Sequence, residues 1–210
     1  WGQGQWTDYG REICRRAGAN VAALNYHFND KERLYQAVLE GILEDGFSRF
    51  PMDMDLGLEA GPGERLRAFV RSLLWRLLSA EGWGGYHGVA RLIARELTDP
   101  SPSLDVVVRR YIVPARMALA GMVVALLGAG ARDEDVRRCC LSVIGQCLHY
   151  AYARPMMDRL EIDPAESAAE IEALAEHVYE FSLAGIERIR ALVAGRSDLK
   201  TASPDLEAAS

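Results

Sequence analysis

The sequence predicts an all-α fold, and three observations carry that expectation. Apolar residues recur at three- and four-residue spacing over long segments, as on the buried stripe of a helix. The β-branched alternation that marks strands never persists. Clusters of Gly, Pro, Asn and Asp fall between the periodic segments, where helices have to stop.

Taken in order, Arg11–Gly18 (REICRRAG) predicts a two-turn helix with Ile13, Cys14 and Ala17 apolar, stopped by Gly18. Asn20 can cap a second short helix reaching Phe28, because its side chain accepts a free N–H of the first turn. Asn29 or Asp30 caps a longer helix from Lys31 to about Phe47, with Leu34, Val38, Leu39, Ile42 and Leu43 on one side. The Gly-, Pro- and Asp-rich stretch Phe50–Gly63 reads as a linker. Amphipathic helices follow at Pro62–Ala80, Gly85–Thr98, Ser103–Leu127, Asp133–Ala153 and Ala165–Val193. Pro114 should kink or interrupt the third of these, since it lacks an N–H and clashes with the preceding turn. Asp99–Ser103 and Arg154–Pro164 are the breaks, and the polar stretch after Gly195 is expected to be disordered. The expected organisation is therefore a small N-terminal domain over residues 1–49, a larger one over 50–195 and a tail over 196–210.

Composition narrows the function. Half of the 210 residues are hydrophobic, enough for a sizeable core, and the formal net charge is −6. That balance argues against general polyanion binding, which needs many Lys and Arg against phosphate, but it leaves room for a local basic face. The apolar run Met117–Gly130 stays below the ~18 residues of a membrane span, so no membrane role is expected. The opening WGQGQWTDYG resembles neither an export signal nor a transit peptide, which makes a cytoplasmic location the expectation. Cys14, Cys139, Cys140 and Cys147 form no CxxC pair and are expected to be free thiols.

Two short helices joined by a tight Gly turn make a helix-turn-helix, whose second helix enters the DNA major groove. That second helix is NVAALNYHF. Val21, Ala22 and Ala23 are small enough for close approach to base edges, while Asn20 and Asn25 can pair with adenine or with phosphate. From Trp1 to Lys31, Arg11, Arg15, Arg16 and Lys31 stand against Asp8, Glu12 and Asp30, a slight basic excess in an acidic chain.

REICRRAGANVAALNYHFNDKERLYQAVLE resembles the DNA-binding segment of TetR-type transcriptional repressors, with HF, Lys31 and Leu34 at the expected offsets. The resemblance implies that Asn20, Val21, Ala22, Ala23, Asn25 and Tyr26 face the operator. It also implies that Lys31 holds a phosphate, and that His27 and Phe28 pack the small domain with His27 reaching phosphate. The family has a further helix ahead of this pair, where this sequence has only WGQGQWTDYG before Arg11, so the reading head is expected to be incomplete. SVIGQCLHYAYARP (Ser142–Pro155) and PSLDVVVRRYIVPAR (Pro102–Arg116) resemble the CecR-like branch of that family. What resemblance to the TetR-type family implies is a C-terminal ligand-binding domain, a homodimer through the last two helices, and a small-molecule effector that changes the separation of the two heads on a palindromic double-stranded DNA operator.

Candidate pocket residues combine aromatic surface with a few polar groups: Trp75, Trp83, Tyr86, His87, Arg91, Tyr111, Met117, His149, Tyr150 and Arg154. EGWGGYHG (Glu81–Gly88) lacks the strand and GKS/T of a phosphate loop and is read as a helix break at the pocket mouth. No nucleophile and base stand at a recognisable spacing, so no catalytic residue and no cofactor is expected. Cys140 and Cys147 share a helix face and, with His149, leave a thiol or metal sensor as an alternative, although structural metal-ligand spacings are missing and no metal is expected. A helical metabolite-binding or enzymatic bundle without a DNA role is the other alternative.

Overall fold

The computed structural model describes residues 31–57, 59–83, 95, 96, 98–163 and 165–201, with residues 31 and 197–201 described in backbone only. The expected helices at Arg11–Gly18 and Asn20–Phe28, and most of that at Gly85–Thr98, lie outside these residues. Every regular element among the described residues is helical.

Helix α1 (Lys31–Arg49) turns Leu39 and Leu43 inward. The segment after it is no free tether: Phe50 is buried, stacks on Trp75 at 5.6 Å, and its carbonyl accepts a 2.9 Å bond from Ser72 Oγ. Pro62 then opens α2 (Pro62–Leu78) at a position where a missing N–H costs nothing, and Gly61 N–H donates to Glu64 Oε2 at 2.7 Å. This helix has a wide apolar face, with Glu64, Arg65 and Arg67 exposed to solvent. Leu66, Phe69, Val70, Leu74 and Leu77 are all buried, because α2 lies at the centre of the bundle.

The next helical run joins three pieces: α3 (Pro102–Val107), a π turn (Val108–Ile112) and α4 (Val113–Leu127). As expected, the α-helix is interrupted beside Pro114, but the helical run does not end there. The helix widens just before it, with Val113 N–H reaching back to the Val108 carbonyl, which makes room for the proline ring. The resulting run, Pro102–Leu127, has 26 residues and is long and apolar enough to cross a membrane by length and composition, which the shorter run weighed in the sequence was not. It buries Leu119, Val123 and Leu127 in the bundle and leaves Ile112, Met117 and Val124 exposed. Gly128 ends it with φ +77°, a conformation that strains other residues.

Helix α5 (Asp133–Tyr152) begins with Asp133, Glu134 and Asp135, whose charges favour the positive end of the helix dipole. The expected break at Arg154–Pro164 contains local helix instead: α6 (Arg154–Met157) and a 3₁₀ turn over Asp158–Leu160. Buried Met157 pins this short excursion.

The last helix, α7 (Ala168–Thr201), differs from expectation at both ends. It starts later because Ser167 and Glu170 form a capping box: Ser167 N–H and Oγ–H donate to Glu170 Oε2 at 2.8 and 2.7 Å, and Glu170 N–H donates to Ser167 Oγ at 3.2 Å. It ends later, so residues 196–201 are helical and not part of a disordered tail. Val193 is fully buried and Arg196 Nη2 meets Asp135 Oδ2 of α5 at 2.5 Å, and an anchored helix propagates at little cost. Helices α2, α4, α5 and α7 pack mutually as the bundle, whereas α1 packs on α3 at its edge.

Candidate DNA-reading head and ligand site

Helix α1 continues directly from the expected reading head, so its attachments to the bundle decide how that head is held. Its clasp is polar and aromatic. Tyr35 Oη donates to Glu96 Oε1 at 2.6 Å, and the other carboxylate oxygen of Glu96 accepts from Ser101 N–H and Oγ–H, each at 3.0 Å. Burial alone would raise the pKa of Glu96, but these bonds and the nearby Arg95 outweigh it and hold the carboxyl below its ordinary range. Burial, and then the bond to this carboxylate, push Tyr35 up to about 12.

The π turn supplies the next contacts. Arg110 Nη1 pairs with Glu40 Oε2 at 2.7 Å, and Tyr111 Oη donates to the Glu40 carbonyl at 3.4 Å. Tyr111 also stacks on Phe47 of α1 with ring centres 5.8 Å apart. Trp83 closes the clasp: its Nε1–H donates to the Ile42 carbonyl at 3.1 Å, and its ring meets Phe47 edge-on at 6.0 Å. Gly46 permits this approach, since a Cβ there would overlap the Trp83 indole. Gly82 has a similar duty on the other side, where a Cβ would lie 2.5 Å from the Arg76 carbonyl oxygen. This accounts for part of the glycine-rich EGWGGYHG stretch: the chain turns hard against the end of α2.

Between α1 and this turn lies an open cavity of about 360 Å³, lined by Ala37, Val38, Gly41, Ile42, Asp45, Arg49, Gly82 and Trp83. Of the expected pocket residues, Trp83 and Tyr111 come together around Phe47. The other described ones go elsewhere. Trp75 donates from Nε1 to Glu172 Oε1 of α7 at 2.7 Å, in a network with Arg71 and Asp55. Met117 is exposed on α4, His149 is exposed beside Tyr150, and Arg154 is exposed and paired with Glu166. Tyr150 is half-buried against the bundle core. Tyr86, His87 and Arg91 lie outside the described residues. So do Asn20, Val21, Ala22, Ala23, Asn25, Tyr26 and His27; Lys31 is placed as the first residue of α1.

One residue that the sequence reading passed over stands out by its surroundings. Arg76 of α2 is 1 % exposed, and its guanidinium lies 4.1 Å from the Phe47 ring centre and 5.7 Å from that of Trp83. Its Nε–H donates to the Ser72 carbonyl at 3.2 Å, while Nη1 has no hydrogen-bond partner among the described residues. Burial pulls its pKa down to about 10, which leaves it charged at neutral pH. Ser72, Arg76 and Ser79 form a buried polar line at helical spacing, and Ser79 Oγ is likewise unpartnered. The available signal was position: Ser72 and Arg76 share the helix face of Phe69, which is buried, whereas Glu64 and Arg67 fall on the solvent side.

The thiols have a plain environment. Cys139, Cys140 and Cys147 are free and buried, and burial raises all three pKa values, that of Cys147 to about 12. Adjacent Cys139 and Cys140 are both enclosed because α5 has neighbours on two sides. Protonated, enclosed thiols lack the thiolate character of reactive ones. His149 is exposed, and among the described residues no group of three or more His, Cys, Asp or Glu side chains gathers as metal ligands would.

Residues 11–38 match the family of bacterial regulatory proteins named for tetR. Residues 62–186, more than half of the chain, match the C-terminal domain of the HTH-type transcriptional dual regulator CecR. The HTH-type transcriptional dual regulator CecR of Shigella flexneri is 27% identical over 162 residues, which is 70% of either chain. With one match running through the reading head into α1 and the other spanning the bundle that clasps α1, the chain belongs to the TetR family of bacterial transcriptional regulators and carries a C-terminal domain of the CecR kind.

Proposed function

We propose that this regulator is a ligand-responsive repressor, working in the cytoplasm as a homodimer on a palindromic operator and released by a small-molecule effector. The observation that carries this reading is the double membership of α1. Its first turns fall within the match to the reading head, and Tyr35 within those turns is hydrogen-bonded to Glu96 of the C-terminal unit. A ligand that shifts the clasp shifts the head, which is a coupling between two distinct sites. In this reading Asn20, Val21, Ala22, Ala23, Asn25 and Tyr26 face bases, and His27 and Lys31 meet phosphates.

The dimer is supported by apolar side chains left in the open on the last two long helices: Leu141 on α5, and Phe181 and Leu192 on α7. A twofold pairing of these helices would present two heads to two half-sites. The protein then works by binding, with no chemical step.

A gel shift of the protein on the DNA upstream of its own gene tests the reading. Lys31→Ala should weaken binding to all sequences and lower the salt slope by about one unit, whereas Asn25→Ala should also blur sequence preference by ~1–3 kcal/mol. Equal, salt-insensitive binding by the wild type and both variants would sink it.

A further inference from the structure

We propose that Arg76 is the anchor of a site for an organic monoanion carrying an aromatic ring, a carboxylate above all, and that this anion is the effector class. The inference rests on the ligand-responsive reading given above. A guanidinium has five N–H donors in a planar fork that suits a carboxylate. Here one donor is spent on the Ser72 carbonyl and Nη1 is unspent, in a setting with 1 % of the residue exposed. No carboxylate among the described residues pairs with it; the Phe47 and Trp83 rings offset part of the charge and leave Nη1 without a hydrogen bond.

The surroundings select the class. One buried positive charge neutralises one negative charge, so a monoanion fits where a phosphate dianion would leave an uncompensated charge in apolar surroundings. The rings of Phe47, Trp83 and Tyr111, with centres 5.8 to 6.0 Å apart in successive pairs, offer stacking and edge contacts to an aromatic body. Trp83 connects this place to the outside, since it lines the 360 Å³ cavity and also lies beside the guanidinium. Entry of the anion moves Trp83, and Trp83 is bonded to the Ile42 carbonyl of α1, as Phe47 is part of α1. Binding at Arg76 therefore acts on the helix that carries the reading head.

The test uses the full chain with 2-naphthoate and benzoate as probes, their neutral amides as controls, and two readouts: melting temperature and tryptophan fluorescence. The carboxylates should raise Tm and change the fluorescence while the amides do neither. Arg76→Met, which keeps the volume and removes the charge, should weaken carboxylate binding roughly tenfold to a hundredfold, the range of a lost charged hydrogen bond. The same variant should melt higher than wild type without ligand, because an unpaired buried charge is gone. Arg76→Lys, which keeps the charge and loses the fork, should bind with intermediate strength and serves if the methionine variant does not fold. Identical responses to acids and amides, no response to either, or full carboxylate affinity in Arg76→Met would overturn the proposal. A gel shift with the same probes separates the two readings. Arg76-dependent binding that leaves DNA retention unchanged keeps the anion site and overturns its effector role, whereas DNA release that ignores Arg76 overturns the anion site and keeps the ligand-responsive reading.

Discussion

Helix α1 at the edge of the bundle and helix α2 within it are held by different forces. Helix α2 is surrounded by α4, α5 and α7 and fixed by close apolar packing, with Leu66, Val70 and Leu74 fully enclosed. Helix α1 fully buries two apolar side chains, Leu39 and Leu43, sets Tyr35, Ile42 and Phe47 half-buried against the core, and is further clasped by directional contacts: Tyr35 to Glu96, Glu40 to Arg110, and the Ile42 carbonyl to Trp83. Packing is lost gradually with distance and resists small shifts, whereas hydrogen bonds and ion pairs are made or broken as units. The difference teaches that one molecule can hold two helices by different means: α2 by continuous packing, and α1 mainly by a few separable contacts.

The contrast can be broken most forcefully at the core. Leu74→Ala should cost about 2–5 kcal/mol, the usual range for a cavity at a fully enclosed leucine, and lower the melting temperature of the whole protein. A loss under about 1 kcal/mol would mean that the bundle is not the packed scaffold described. At the clasp, Glu96→Ala leaves the Tyr35 hydroxyl and Ser101 N–H without their acceptor and should cost about 1–3 kcal/mol. Amide hydrogen exchange should quicken along α1 while α5 and α7 keep their protection; equal loss in all three would erase the distinction.

Acid should act on the same contact. Because the folded-state pKa of Glu96 is depressed, its contribution is present above the ordinary carboxylate range and is lost as pH falls through that depressed value. Exchange in α1 should therefore rise on acidification before that of the bundle, and in Glu96→Ala this early step should vanish. The smallest effect belongs to the exposed ion pair between Arg67 and Glu176, both about half exposed. Glu176→Gln should change stability by under ~0.5 kcal/mol, a useful zero for the series.

Much of the fold was legible. The starts of α2 and α5 follow from their punctuation: Pro62 at a first turn, and an acidic run at Asp133. The ends were less so. Gly195 and the polar residues after it look like a stop, yet the helix runs on because Arg196 finds Asp135, sixty-one positions away in sequence. Pro114 announced a disturbance, and neighbouring packing decided that it would be a π turn and not a break.

The site was legible only in part, for a physical reason. Trp83 and Tyr111 were expected in the pocket on composition, and they do meet, but around Phe47, whose place follows from helix packing alone. Trp75 and Arg154 have the same composition and serve Glu172 and Glu166 instead. What the sequence by itself determined is what local chemistry controls: helical periodicity, caps, turns and the thirty-residue reading-head pattern. Only the tertiary structure decided which polar groups are left without water, as Arg76 and Glu96 are, because desolvation depends on neighbours brought from distant parts of the chain.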